Sequence, residues 1–421
     1  MKGVLSNRSF LLLLAGSVVS LVGSQLAFVA TIFWLRQTTD SASLLGLSAS
    51  IAAIPLLLLS PLGGVLADRW PRRKILIVCD IICCLVCLSL MFFTGAASVS
   101  VSLAVAGVFA SNLILFSCIA FSNPAIQALL PDIVETQRLE QAIGVRQASS
   151  LIAMIGGQAL GALLLTHYSP ATLFAIDGAS YLASALLLFF IRAQIKAPKP
   201  ATSMAPPRRV YDDMRAAVAY IWGQHGMRLV LIAALPVSIF SETIIVFLSF
   251  YTTNALREPL AYYGYLLTLF SAGSFIGFAL TTRSTLQFAH RSPAVTTCLI
   301  LSAAVCVGLS FVHTFWIAAV LLLCFGAFTG SVSLLFMNAL VLQTDPDKRG
   351  RVTAVMLMIT QGATPLTMSV LGIAVDLLSD NLRPLYGVCG LGLLAVALTF
   401  SSSRDVQYFF SKRYEPKDMA L

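Results

Sequence analysis

Charge is what this sequence has least of. Only 11% of its 421 residues are Asp, Glu, Lys or Arg, against about 25% in an ordinary soluble domain. Histidine is scarcer still, at four residues. His167 and His313 fall near the ends of apolar runs and His225 and His290 in polar stretches, each alone, so no His/Asp/Glu group at catalytic spacing is present. A G-x-x-x-x-G-K-[ST] run is also missing, which argues against direct ATP hydrolysis. This balance excludes a soluble enzyme, a secreted disulfide scaffold and a disordered regulator. No metal site and no cofactor are expected.

Apolar side chain is there in excess: 58% of the chain, with a mean hydropathy of +0.89. No water-facing surface hides that much, so the excess faces lipid. A helix crossing a bilayer core of ~30 Å needs about 20 apolar residues, and twelve such helices use roughly 240. Membrane β-barrels read instead as alternating segments of about 10 residues. The runs here, as at 11–33 and 173–191, are long and continuous, so the fold class is all-α. The nine cysteines all lie inside apolar runs. Cys84 and Cys87 form a C-x-x-C, a spacing that also occurs in redox and metal pairs, but on a Leu/Ile/Val-rich helix small buried side chains are the plainer reading.

Spans are predicted at 10–35, 44–66, 75–94, 101–122, 146–166 and 171–192, then at 228–252, 261–282, 293–312, 315–341, 352–375 and 384–401. Lys and Arg concentrate in cytoplasmic loops. With the N-terminus inside, all but three of the 27 basic residues are cytoplasmic, the exceptions being Arg36, Arg257 and Arg383. Both termini are therefore expected in the cytoplasm of an inner-membrane protein. The formal charge of +9 reflects this bias and attraction to anionic lipid, and it requires no nucleic-acid partner. The first apolar run, at about 24 residues, exceeds the 7–15 of a signal peptide and is read as a retained helix.

Four segments follow: a six-helix bundle at 1–192, a linker at 193–226, a second six-helix bundle at 227–403 and a tail at 404–421. Pro198, Pro200, Pro206 and Pro207 stop any helix in the linker. Val210, Met214, Ala217, Val218 and Ile221 then recur at helical spacing, as in a short amphipathic helix on the membrane face. The charged, proline-containing loops at 128–142 and 339–351 stand six spans apart. That placement fits a duplicated unit, and two such bundles make a transporter with a midplane site.

Between the second and third spans the chain reads Gly63-Gly-Val-Leu-Ala-Asp-Arg-Trp-Pro-Arg-Arg-Lys74. Paired glycines permit close helix approach. A carboxylate at the end of one helix is favoured by a neighbouring helix N-terminus and by an arginine. The run resembles the loop signature G-x-L-A-D-R-x-G-R-[RK]-[RK] of the major facilitator superfamily, matching at Gly64, Leu66, Ala67, Asp68, Arg69, Arg72 and Arg73, with Pro71 in place of the loop glycine. The resemblance implies two pseudo-symmetric six-helix bundles and a conformational latch made by Gly64, Asp68, Arg69, Arg72 and Arg73; Asp80, roughly 8 Å into the third span, is expected to join that latch by pairing with Arg69, Arg72 or Arg73. Plain topological anchoring by positive charge is the alternative. Gly23-Ser-Gln-Leu-Ala27, Thr39-Asp-Ser-Ala-Ser-Leu-Leu-Gly46, Asn123-Pro-Ala-Ile-Gln-Ala-Leu-Leu-Pro131, Phe174-Ala-Ile-Asp-Gly-Ala-Ser-Tyr181 and Arg349-Gly-Arg-Val352 are similar to the branch with the enterobactin exporter and macrolide efflux proteins. That branch implies export of drugs or siderophores, usually against protons. The chain departs from the drug/proton antiporters in two places: Gly157–Ala162 lacks the proline and last glycine of G-P-x-x-G-G, and Val101–Ser122 lacks an arginine.

An ionisable side chain inside a span is costly and marks a functional candidate. Glu242 lies about 15 residues into its span, roughly 22 Å along it, and is the first candidate for carrying a proton or countering a cationic substrate, with a protonated or hydrogen-bonded carboxyl that helps helix packing as the alternative. Asp177, about 9 Å into the sixth span, is the second, with shared architecture as the alternative. Gln25, Asn112, Gln158, Asn338 and Gln361 are candidate substrate-lining amides, because each amide both donates and accepts; they equally serve to join helices. The sequence thus points to a monomeric secondary transporter, handling a small amphipathic molecule and protons within a lipid bilayer. Export by proton antiport is the first expectation. A proton-coupled importer of a nutrient, or a non-transporting receptor or scaffold on the same fold, are the alternatives.

Overall fold

The structure is a computed structural model and describes residues 4–96, 99–191, 215–216, 218–283, 288–345, 352–353, 355–356, 364–377 and 382–411. Its main elements are α1 (Arg8–Thr39), α2 (Ala42–Arg69), α3 (Arg72–Gly95), α4 (Val101–Ile133), α5 (Leu139–Leu165), α6 (Pro170–Phe189), α7 (His225–Val246), α8 (Tyr262–Arg283), α9 (Phe288–Phe311), α10 (Phe315–Leu342), α11 (Thr364–Leu377), α12 (Leu382–Ser402) and α13 (Arg404–Ser411). Among the described residues, eleven helices are long and apolar enough to cross a membrane, and the apolar helix Thr367–Leu377 is shorter. Part of the span expected at 352–375 lies outside the described residues.

The chain divides into two compact units. One holds Met1–Ser203 with Pro259–Thr268, and the other holds Met204–Glu258 with Leu269–Leu421. The head of α8 therefore belongs to the first unit, where the Tyr263 hydroxyl donates to Val29 O at 3.3 Å. Most of the expected linker lies outside the described residues. Of its predicted amphipathic helix, Arg215, Ala216 and 218–223 are helical, with Ile221 buried and Trp222 exposed.

Boundaries moved where remote residues decided them. The fourth span was expected to stop at 122, yet α4 runs to Ile133 with Pro124 and Pro131 inside it. Pro124 lies where α4 meets Gly63 of α2: a Cβ at Gly63 would collide with Ala120 O and stand 3.1 Å from Pro124 Cγ. At the N-terminal end, Asn7 caps α1 by accepting from Phe10 N at 3.1 Å, and its Nδ2 donates to Ile133 O at 2.6 Å. In the second unit the tail folds back as α13. Phe410 and Val406 are buried, and Gln343 Nε2 donates to Phe409 O at 3.0 Å.

Candidate functional site

Arg72 and Arg73 open α3, where the helix dipole disfavours cations. They turn away from their own helix to the carboxyl ends of its neighbours. Arg72 Nη1 donates to Ala128 O at 2.9 Å and to the Asp132 carboxylate, while Nε donates to Ala67 O at 3.3 Å. One guanidinium thus ties together the ends of α2 and α4. Arg73 Nη1 donates to Ile191 O at 2.9 Å, just beyond α6, and its guanidinium lies 5.4 Å from the Phe189 ring centre. Arg69 and Lys74 are exposed. Asp68 sits in the last turn of α2, but its side chain is outside the described residues. The close helix approach expected of both glycines belongs to Gly63 alone, since nothing lies within 4 Å of a Cβ built on Gly64.

Asp80 does not share the partners found for Arg72 and Arg73. Ser184 of α6 hydrogen-bonds its carboxyl, and its buried Oδ2 has no partner among the described residues. The sequence reading missed Asp132 as the carboxylate beside Arg72, because that aspartate is remote in sequence and sits on the extension of α4.

Asp177 is 1% exposed. Its Oδ2 accepts from the Cys87 thiol at 3.2 Å and its Oδ1 from the Ser180 hydroxyl at 3.3 Å. The α1 backbone closes over it at Gly23, where a Cβ would stand 2.7 Å from Asp177 Oδ1. Next to it, Ser24 and the Tyr181 hydroxyl share a 2.9 Å hydrogen bond. Two of the candidate amides pair with each other: Gln158 Nε2 donates to Gln25 Oε1 at 3.0 Å, joining α1 to α5. Asn112 Nδ2 donates to Ser48 Oγ at 3.0 Å, joining α4 to α2. Asn338 is exposed on α10. Gln361 lies outside the described residues.

Glu242 does not stand in the middle of a continuous helix. The span expected at 228–252 breaks: α7 ends at Val246, a short turn covers Leu248–Phe250, and Tyr251–Ala255 form a π-helix. α12 meets the chain on both sides of this break: Tyr386 donates its hydroxyl to Ile244 O at 2.9 Å. Tyr386 also stacks on Tyr251 at 4.8 Å, and Arg383 Nη2 donates to Ala255 O at 3.0 Å. Both sides of the break are thereby fastened to α12. Glu242 lies in the last full turn before the break and is exposed, with Ser238 and Ser241 on adjoining positions. π-Turns inside helices recur at functional sites.

A family model described as Major Facilitator Superfamily matches residues 12–367. Macrolide efflux protein A of Streptococcus pyogenes is 30% identical over 163 residues, which is 39% of this chain and 39% of that protein. The MFS-type transporter YfiS of Bacillus subtilis is 27% identical over 190 residues, 44% of this chain and 43% of that protein. The aligned part is thus less than half the length of either relative. Among solved structures, the D-xylose-proton symporter superposes with a TM-score of 0.73 at 13% identity, covering 96% of this chain and 99% of that one. A bacterial homologue of the iron transporter ferroportin in its inward-facing state gives 0.71 at 16% identity, covering 98% and 100%. At such identities these likenesses establish the fold.

Proposed function

Because this chain belongs to the Major Facilitator Superfamily, and is therefore a multi-pass membrane transporter for small molecules, we propose that it exports an amphipathic compound by alternating access, driven by protons entering in exchange. The observation that carries this reading is Glu242: a carboxylate accessible on an apolar helix, one turn before the helix breaks. Desolvating a charged carboxylate is expensive, so its protonation state and the geometry of the break are energetically linked. The partial likeness to macrolide efflux protein A supports a hydrophobic, drug-like cargo, and a siderophore fits the same chemistry. Asp177 is the second carboxylate in the scheme. Both termini face the cytoplasm in this reading, and the transporter works as a monomer.

The test uses inside-out vesicles, a radiolabelled macrolide as probe and an imposed proton gradient, acid inside. Wild-type protein accumulates the probe and collapses the gradient. Glu242→Gln lowers gradient-driven uptake about 100-fold, a change of roughly 2.7 kcal/mol in coupling, while Glu242→Asp retains a measurable fraction. Uptake in Glu242→Gln equal to wild type, or probe accumulation only in right-side-out vesicles, overturns the proposal.

A further inference from the structure

Helices α3 and α6 run antiparallel, and three contacts fix their alignment: Arg73 to Ile191, Asp80 to Ser184, and Cys87 to Asp177. The residue numbers of each pair have the same sum, so the two helices keep one register along the whole seam. Continuing it sets Cys83 and Cys84 beside Tyr181 and Ser180, and Cys84 O indeed borders Gly178. Every turn between Asp80 and Asp177 therefore carries an exchangeable hydrogen. Glycines of α1 close the seam from the third side. A Cβ at Gly16 would stand 3.2 Å from Ser184 Oγ, and one at Gly23 would collide with Ser180 Oγ.

Among the described residues the two acids meet no cation there. Asp177 faces Cys84 and Cys87 from α3, and Ser180 and Tyr181 of its own helix. From α1 it faces Gly23, beside the Ser24 that binds Tyr181. Asp80 faces Cys79 of its own helix, Cys118 of α4 and Ser184 of α6. Thiols are weak donors and hydroxyls carry no charge, and a buried carboxylate with only such partners, or with one unpartnered oxygen, is poorly compensated as an anion.

We propose that this seam is a proton relay within the first unit, with Asp80 receiving protons at the Arg73 end, Ser184 and Ser180 passing them along, and Asp177 holding them. In each transfer the Asp80 O–H bond breaks and its proton bonds to Ser184 Oγ, which releases its own hydrogen onward. The hydrogen shifts end when a new O–H bond forms on the Asp177 carboxylate. Asp80 regains a proton from hydronium, which leaves as water, so one proton has moved from the aqueous phase to Asp177 and nothing is oxidised or reduced. Successive hydroxyls one turn apart on α6 are about 5–6 Å from each other, a gap that a single water bridges. The relay deepens the proton-driven reading above by supplying an internal store, and it takes Asp80 out of the arginine latch.

Infrared spectroscopy of the full-length protein in nanodiscs, transferred from H₂O to D₂O, reads the relay without any substrate. Asp80 and Asp177 are each expected to give a protonated-carboxyl C=O band, removed in Asp80→Asn and Asp177→Asn respectively. In the wild type the Asp80 band shifts first and the Asp177 band follows. Ser184→Ala keeps both bands but slows the Asp177 shift about tenfold, the effect of raising a barrier by one lost carrier. Asp80→Asn slows it likewise, and Asp80→Glu restores it. Should Asp80→Asn not fold, Ser184→Ala carries the test. Absence of an Asp177 band, or an Asp177 shift at the wild-type rate in the Ser184→Ala protein, overturns the relay. A failed flux assay leaves this result intact, and a failed relay leaves the flux result intact.

Discussion

Arg72 stands at the wrong end of its own helix and owes its position to other helices. It reaches the carboxyl ends of α2 and α4 and the Asp132 carboxylate at once. Arginine suits this place because its planar fork presents several donors in fixed directions, whereas lysine offers a single point of charge. Arg72→Ala leaves a partly buried carboxylate and two carbonyls without their donor, a loss of about 2–3 kcal/mol. Arg72→Lys is expected to recover less than half of that. Thermal unfolding of the detergent-solubilised protein checks both. If the lysine variant matches wild type, the guanidinium serves as charge alone and the three-way tie has no energetic role.

At the scale of elements, neighbouring glycines on α2 have opposite duties. Gly63 lies against the α4 backbone, with Phe121 Cα 3.1 Å from where a Cβ would sit, while Gly64 has open space around it. Gly63→Ala therefore forces α2 and α4 apart at a cost of about 1–3 kcal/mol. Gly64→Ala gains up to about 1 kcal/mol of helix propensity. Unfolding midpoints of the two variants should move in opposite directions. Equal destabilisation of both would mean that the α2–α4 contact is not as close as described. The break in the seventh span is the other element-scale feature. Tyr386 ties the turn bearing Glu242 to α12 through Ile244 O, while the Tyr386–Tyr251 stack and Arg383 hold the residues beyond the break.

For the whole molecule, the fold was legible because its signal is coarse. Long apolar runs and lopsided basic loops set the number and order of helices, and almost every predicted span has a helix over it. What stayed hidden depended on partners far away in sequence. Nothing near Phe247 announces a break whose hydroxyl comes from Tyr386, and nothing near Arg72 points to Asp132. α13 was a different kind of omission. Val406, Phe409 and Phe410 recur at helical spacing in the tail, a signal the short length of the segment concealed. The amides show how a residue type underdetermines its use, since Gln158 donates to Gln25 and Asn112 meets Ser48.

The proposed exchange of substrate for protons at Glu242 implies that binding of one is linked to release of the other. Its most direct measurement is proton release on adding the macrolide probe to the purified protein in weakly buffered detergent solution, followed with a pH dye. Wild-type protein is expected to release protons on binding, and Glu242→Gln to bind the same compound without release. Equal release from both proteins would contradict the account.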